Sequence, residues 1–450
     1  MAKQYVKDMT TGNELSLLLR FSLPMLVGGI FQQFYNMVDS IVVGNYVGTN
    51  ALAAVGMTSS LNFLYFSLCN GFATGTGVLM SQYFGMKNEK RVKDALGNSV
   101  YLLLGMGILV SLVSVLFSRN ILELLNTPQE IFDDALLYTR IVCGGIISVV
   151  MYNGIAAMLQ SLGDSTTPLI FLVIASVLNV IGDLLLVVVF HMGVAGVAIA
   201  TIIAQLISAL GCIVYAVKKN PYFRLTKENF RPDPALMKKC LRLGIPFGAQ
   251  GSLIAFSCVA LQSIINRFGS DVIAAFTATS RIEQLVQQPY NSLATALATF
   301  AAQNIGAGNP DRVCRGYRKS TFLVIVFSVI MCGIMFLSGE AFVRLFVKDA
   351  NVIAIGGSAI RITSLFYISL GMIYITRSLL NGAGDSAFAF VSGLAEVVGR
   401  VGFSILLAGI PALGYWAIWY TTGLTWLITG AVCVLRYLQG KWKRIMLVEK

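Results

Sequence analysis

Residues 45–54, NYVGTNALAA, return in pattern as NRFGSDVIAA at 266–275, an offset of 221 that sets Gly48 on Gly269. The offset holds well beyond this stretch. Downstream it sets Gln82, in SQYFGMKNEKRV (81–92), on Gln303, in AQNIGAGNPDRV (302–313). It also pairs Arg140 with Arg361, and Gly163-Asp164-Ser165 with Gly384-Asp385-Ser386. Separated anchors at one spacing make the chain a tandem duplication, and a repeat of this length decides the fold before any single element does.

Both copies are almost wholly apolar. Hydrophobic residues make up 56% of the 450 positions and charged residues 12%, against roughly 25% charged in a soluble domain. The apolar runs number about twelve, each near or above the roughly 20 residues that cross a bilayer as helix. Alternation at strand length is absent, which argues against an outer-membrane barrel. The expected fold is therefore all-α and polytopic. Its spans fall near 15–43, 51–81, 94–117, 131–160, 167–190 and 193–217, then 236–266, 272–304, 316–338, 353–382, 386–408 and 413–437.

The net charge of +12 does not point to nucleic acid, because Lys and Arg concentrate in every second loop. Lys87, Lys90, Arg91 and Lys93 follow the second span, and Arg312, Arg315, Arg318 and Lys319 follow the eighth. Basic residues also fill the central loop, whereas Glu123, Glu130, Asp133 and Asp134 follow the third span. Both termini and the central loop are thus expected in the cytoplasm. Each half then starts from the same side, giving two parallel six-helix lobes related by a pseudo-two-fold along the membrane normal. The N-lobe is expected over 1–219, a cytoplasmic linker over 220–235 and the C-lobe over 236–450. The first apolar run contains Pro24 and continues past the length of a signal peptide, so it reads as a retained span.

Nothing points to an enzyme. The eight cysteines are scattered and read as small buried hydrophobes, His191 is the only histidine, and no metal-ligand spacing or nucleophile motif is present. No cofactor is expected.

Charged and amide side chains inside the spans are the informative exceptions, since each costs several kcal/mol in lipid unless it has a partner or a purpose. Asp39 lies near the outer end of span one; Asn179 and Asp183 are i, i+4 on span five; Thr201 lies early in span six. At roughly 1.5 Å per residue, all four fall in the outer half of the first lobe. Two carboxylates, an amide and a hydroxyl at one depth form an oxygen cage suited to Na⁺ or protons. The second copy does not reproduce it: Asn179 maps onto Arg400, with Glu396 one turn before it as a self-neutralising pair of structural character. Glu283 stands alone near the middle of span eight, placed to attract a lipophilic cation or to pair with an Arg on a neighbouring span. Gln33, Tyr35 and Asn36, beside Asp39, are candidate substrate contacts together with Glu283 and Asp183. Pro24 and Pro246, in the matching motifs LRFSLP and LRLGIP, allow their helices to bend. Gly71, Gly75 and Gly77 permit close helix contact in span two.

The run from Gln32 to Gly48, the Gln82 and Gln303 segments and the LQSLGDS (159–165) and LNGAGDS (380–386) pair resemble the multidrug and toxic compound extrusion (MATE) family. The likeness covers essentially the whole chain. It implies twelve spans in two lobes and a cation site at Asp39, Asn179, Asp183 and Thr201. It also links a bend at Pro24 to the state of the aspartate, and implies drug recognition at Glu283. A branch of the family keeps its carboxylates on spans seven and ten, where this chain has no acidic residue. The implied activity is secondary active multidrug efflux, in which Na⁺ or H⁺ is exchanged for lipophilic cations by alternating access. The setting would be the plasma membrane, in contact with lipid, by a monomer. A flippase or exporter for a lipid-linked oligosaccharide or another metabolite is the competing expectation; it calls for several Lys or Arg at mid-depth.

Overall fold

The computed structural model of the chain describes residues 6–125 and 127–445, the side chains at 49, 59, 60 and 408 excepted. Among these residues the regular structure is helical, with no strand. The first half runs through α1 (Glu14–Val42), α2 (Thr49–Gly85), α3 (Glu89–Leu124), α4 (Gln129–Gly144), α5 (Ile146–Ser161), α6 (Thr166–Asp183) and α7 (Gly193–Lys219). The second runs through α8 (Pro234–Ile265), α9 (Ser270–Gly306), α10 (Pro310–Arg344), α11 (Ala350–Ser364), α12 (Tyr367–Ala383), α13 (Ser386–Ala408) and α14 (Ala417–Leu438).

Nine helices among the described residues are long and apolar enough to cross a membrane. The pairs α4–α5 and α11–α12 each supply one more crossing, bent by 45° and 54°. A smooth apolar run does not announce such a bend. The α4–α5 break falls at Gly145, whose amide bonds back to Ile141 O before a new helix starts. The remaining span, α9, is 37 residues long; Asp271, Arg281, Glu283 and its glutamines make it more polar than the others. Large apolar side chains stay exposed along α3 and α10, Leu337 at 84% among them. In water that would be unfavourable, whereas in a bilayer it costs nothing.

Repeat anchors turn out to be turns and ties. Gly48 and Gly269 have φ of +122° and +90°, and Gly163 and Gly384 have +85° and +91°, conformations in which a Cβ is strained. Asp164 accepts from Thr166 N, Thr167 N and Thr167 Oγ1, capping α6. Its counterpart Asp385 instead takes both nitrogens of an Arg436 fork at 2.8 and 3.2 Å. Arg140 donates to Ser118 Oγ and Arg361 to Phe336 O and Glu340. Each Arg thus ties the first helix of a bent span, just ahead of the bend, to the last turns of the helix before it. Five of the eight cysteines are buried, but Cys258 is exposed.

Packing divides the chain into two compact units. Among the described residues, unit one is 6–8 with Leu23–Gly248, and unit two is Met9–Ser22 with 249–445. This cut differs from the division at residues 220–235, because the first turns of α1 and α8 each pack in the other copy's unit. In unit two, Glu14 at the head of α1 meets Arg312, Arg315 and Lys319 of α10 at 2.7–3.3 Å, and Met9 N donates to Gln303 Oε1. In unit one, the linker docks on α3. Asn229 donates to Asp94 and Asn98 donates to Arg231 O, while Asp233 N donates to Asn98 and the Asp233 carboxylate pairs with Arg91. The Leu236 amide, with Arg91 and the Ala235 amide, holds the Asp233 carboxyl below the usual carboxylate range. Close approach of α2 to the start of α8 is allowed by facing glycines: a Cβ on Gly75 would come within 2.7 Å of Gly244 N, and one on Gly71 would overlap Gly248.

Candidate cation-binding site

Within unit one, α1 carries Asp39 and α6 carries Asp183, and packing brings the two carboxyl groups within hydrogen-bonding distance of each other. Asp183 is fully buried and Asp39 half-buried. Both oxygens of Asp183 and Oδ1 of Asp39 are shielded and meet no N–H or O–H donor among the described residues. Neither carboxylate can donate while ionised, so the facing pair is satisfied by one shared proton or one shared cation.

The other two members of the expected cage join on the same side. Asn179, one turn before Asp183, donates from Nδ2 to Thr201 Oγ1 at 3.3 Å, and Thr201 in turn donates to Val197 O at 3.0 Å. Tyr35 and Tyr138 place their phenols close to both carboxylates. The spacing of α1 singles out Tyr35; Tyr138 sits on α4 and carries no signal in sequence.

A feature of the backbone coincides with the two aspartates. Just beyond each, the helix changes to π-helical turns, over Val43–Val47 after Asp39 and over Leu184–Val189 after Asp183. Gly48 N bonds to Val43 O and Phe190 N to Leu185 O, i→i−5 in each case. Such turns leave carbonyls imperfectly paired and recur at functional sites. Residues 264–268 and 405–410, their counterparts in the second copy, form none.

Gln33 and Asn36 lie half-buried along α1. Pro24 and Pro246 lie inside α1 and α8. Glu283 is in unit two, half-buried on α9, with a shielded Oε1. It faces Thr363 and feels Arg400 without an ion pair among the described residues.

The Glu396–Arg400 pair needs correction. Glu396 Oε1 does meet Arg400 at 3.1 Å, but Oε2 meets Arg377 of α12 at 2.8 Å. Two guanidinium groups therefore share one carboxylate, and the pair does not neutralise itself. Arg400 spends a further N–H on Cys258 Sγ, a weak acceptor. An Arg inside the apolar run YISLGMIYITRSLL is itself a signal, and the need of every buried charge for a partner makes Arg377 findable; its partner 19 residues away is not.

A family model described as MatE matches residues 24–185 and 246–406, both copies of the repeat. The chain belongs to the MATE family. Similar MATE relatives include a probable multidrug resistance protein, YpnP, of Bacillus subtilis, 31% identical over 98% of each chain. The multidrug export protein MepA of Staphylococcus aureus is 23% identical over 93% of this chain and 91% of its own length. Among solved structures, a MOP-superfamily transporter from Pyrococcus furiosus shares the fold at a TM-score of 0.92, with 22% identity covering 98% of this chain and all of that one. That structure is described as having a binding pocket of reverse polarity that suggests a different function. As a MATE protein the chain is a multi-pass membrane transporter and not an enzyme.

Proposed function

We propose that this MATE protein is a multidrug exporter of the plasma membrane, with both termini cytoplasmic, that works as a monomer. It exchanges Na⁺ or H⁺ for lipophilic cationic compounds by alternating access and needs no cofactor. The observation that carries this reading is the facing Asp39–Asp183 pair. A buried pair of carboxylates without donors holds one positive charge far better than none. Loading and releasing that charge changes how α1 and α6 pack, which is a differential interaction between two states of the kind transport requires. Asn179 and Thr201 supply neutral oxygens, and Pro24 gives α1 a place to bend. Glu283, with Gln33, Tyr35 and Asn36, is assigned to the substrate. One charge moving inward across 100 mV yields about 2.3 kcal/mol, which together with an ion gradient sustains a substantial drug gradient.

Export of an anionic or zwitterionic metabolite, including a lipid-linked one, is the second reading. It is favoured by the Arg377–Glu396–Arg400 cluster, which puts more basic charge inside unit two than sequence reading allowed for. The named relatives in B. subtilis and S. aureus favour the first.

Ethidium efflux from energised cells tests the proposal, with Na⁺ and pH stepped separately. The expected result is efflux that collapses with one gradient, and that is lost in both Asp183→Asn and Asp39→Asn although each reaches the membrane. Full drug resistance in either variant sinks the site assignment, and no efflux by well-expressed protein moves the weight to the metabolite reading.

A further inference from the structure

The oxygen-rich surface does not end at the cage. Thr201 gives its own proton to Val197 O, so its oxygen can only accept from Asn179, which must present Nδ2. That fixes the amide and turns Asn179 Oδ1 away, where it finds no donor among the described residues. One turn further along α7, Gln205 is 9% exposed and its Oε1 is likewise shielded and without a donor. Tyr35, Ser176, Asn179, Thr201 and Gln205 line one narrow crevice. Ser208, one turn on along α7, is fully buried, and its hydroxyl has no partner among the described residues. Buried acceptors without a donor are costly, by about 1–3 kcal/mol each. A dehydrated monovalent cation satisfies several at once and sits closer to its oxygens than water does.

We propose that Gln205, with Asn179, Thr201 and Ser176, forms a neutral-oxygen way-station for dehydrated Na⁺ inside unit one, and that Gln205 is therefore a determinant of Na⁺ coupling. The proposal rests on the cation site read above and deepens it. Position supports the role: α6 and α7 pack side by side, and Asn179 and Ser176 on one share the crevice with Thr201 and Gln205 on the other. These four residues lead away from the two carboxylates along the α6–α7 seam. Neutral oxygens hold a cation weakly enough to pass it on, which conduction between sites demands. Amide and hydroxyl oxygens are not protonated in the working pH range, so this step serves Na⁺ and not H⁺. Asp39 and Asp183, with the phenols of Tyr35 and Tyr138, are the titratable groups around it.

Purified protein in liposomes separates the roles, with ethidium transport driven by a Na⁺ gradient at fixed pH or by a pH gradient without Na⁺. Gln205→Met keeps the length of the side chain and removes the oxygen. It should raise the half-saturating Na⁺ by about tenfold, as loss of a supporting ligand does elsewhere, and leave pH-driven transport unchanged. Gln205→Glu, which adds charge to the retained oxygen, should lower the half-saturating Na⁺ and is the variant to use if the methionine protein does not fold. Unchanged Na⁺ dependence in either variant overturns the way-station, as does equal loss in both modes, which marks a merely structural residue. Wild-type transport indifferent to Na⁺ also overturns it while leaving a proton-coupled cage intact. Asp183→Asn is the separate control: transport retained in that variant refutes the underlying site, whatever Gln205 does.

Discussion

At the scale of single residues, charge bookkeeping inside the spans separates two kinds of site. Asp39 and Asp183 face each other with acceptors only, and under the proposed function the charge they need is an exchangeable one. Glu396 has two permanent cations and needs nothing more. Removing the carboxylate with Glu396→Gln leaves two guanidinium groups buried without an anion, whereas Arg377→Met leaves a neutral i, i+4 pair. Breaking a buried ionic partner costs about 3–5 kcal/mol when it strands a charge. The glutamine variant should therefore lower the melting temperature in detergent well below that of the methionine variant; equal losses would show that Arg377 is not held by Glu396.

Helices bring a different constraint, that of closeness. Without a hydrophobic force between them in lipid, α2 and the start of α8 are held by contact over a strip of glycines. Gly75→Leu puts a branched side chain where a single Cβ already meets backbone nitrogen at 2.7 Å, and should abolish folded protein on fluorescence-detected gel filtration. Gly105 on α3 has open space around its Cα; Gly105→Ala should be tolerated and stabilise the helix by up to about 1 kcal/mol. A tolerated Gly75→Leu would show that the strip is not a packing seam. The linker belongs to this scale as well. From sequence it reads as a Pro-rich connector, yet Asn98, Arg91 and Asp94 fix its backbone to α3.

For the whole molecule, duplication produced two units of unlike chemistry. Asp183 corresponds to Ser404, and Thr201 to Thr422; position 39 corresponds to 260–261, which hold Ala and Leu. The comparable crevice of unit two is walled by Leu261, Ile264, Phe268 and Ile418, with Ser404 and Thr421 as its polar members. Among the described residues only unit one carries π-helical turns. A single exchangeable site follows, so efflux should rise with coupling-ion concentration with a Hill coefficient of about 1. A coefficient near two would require a second cation held at the same time, either at the Gln205 crevice or in unit two, and Gln205→Met and Glu283→Gln would tell which.

The sequence by itself determined the duplication, the twelve crossings, the family resemblance, and the presence of Asp39, Asn179, Asp183 and Thr201 inside apolar runs. Those follow from offset, run length and rarity, which survive without coordinates. Tertiary structure alone decided that Asp39 meets a carboxylate 144 positions away, that Arg377 shares Glu396, and that Gln205 lies in the crevice below Thr201. It also decided that the first turns of α1 and α8 pack in the opposite unit. The physical reason is common to all four. In a bilayer both the lipid-facing and the buried faces of a span are apolar, so periodicity does not reveal how each helix is rotated or which neighbour its polar residues meet. Rotation is set by close packing between helices, and that is visible only once they are assembled.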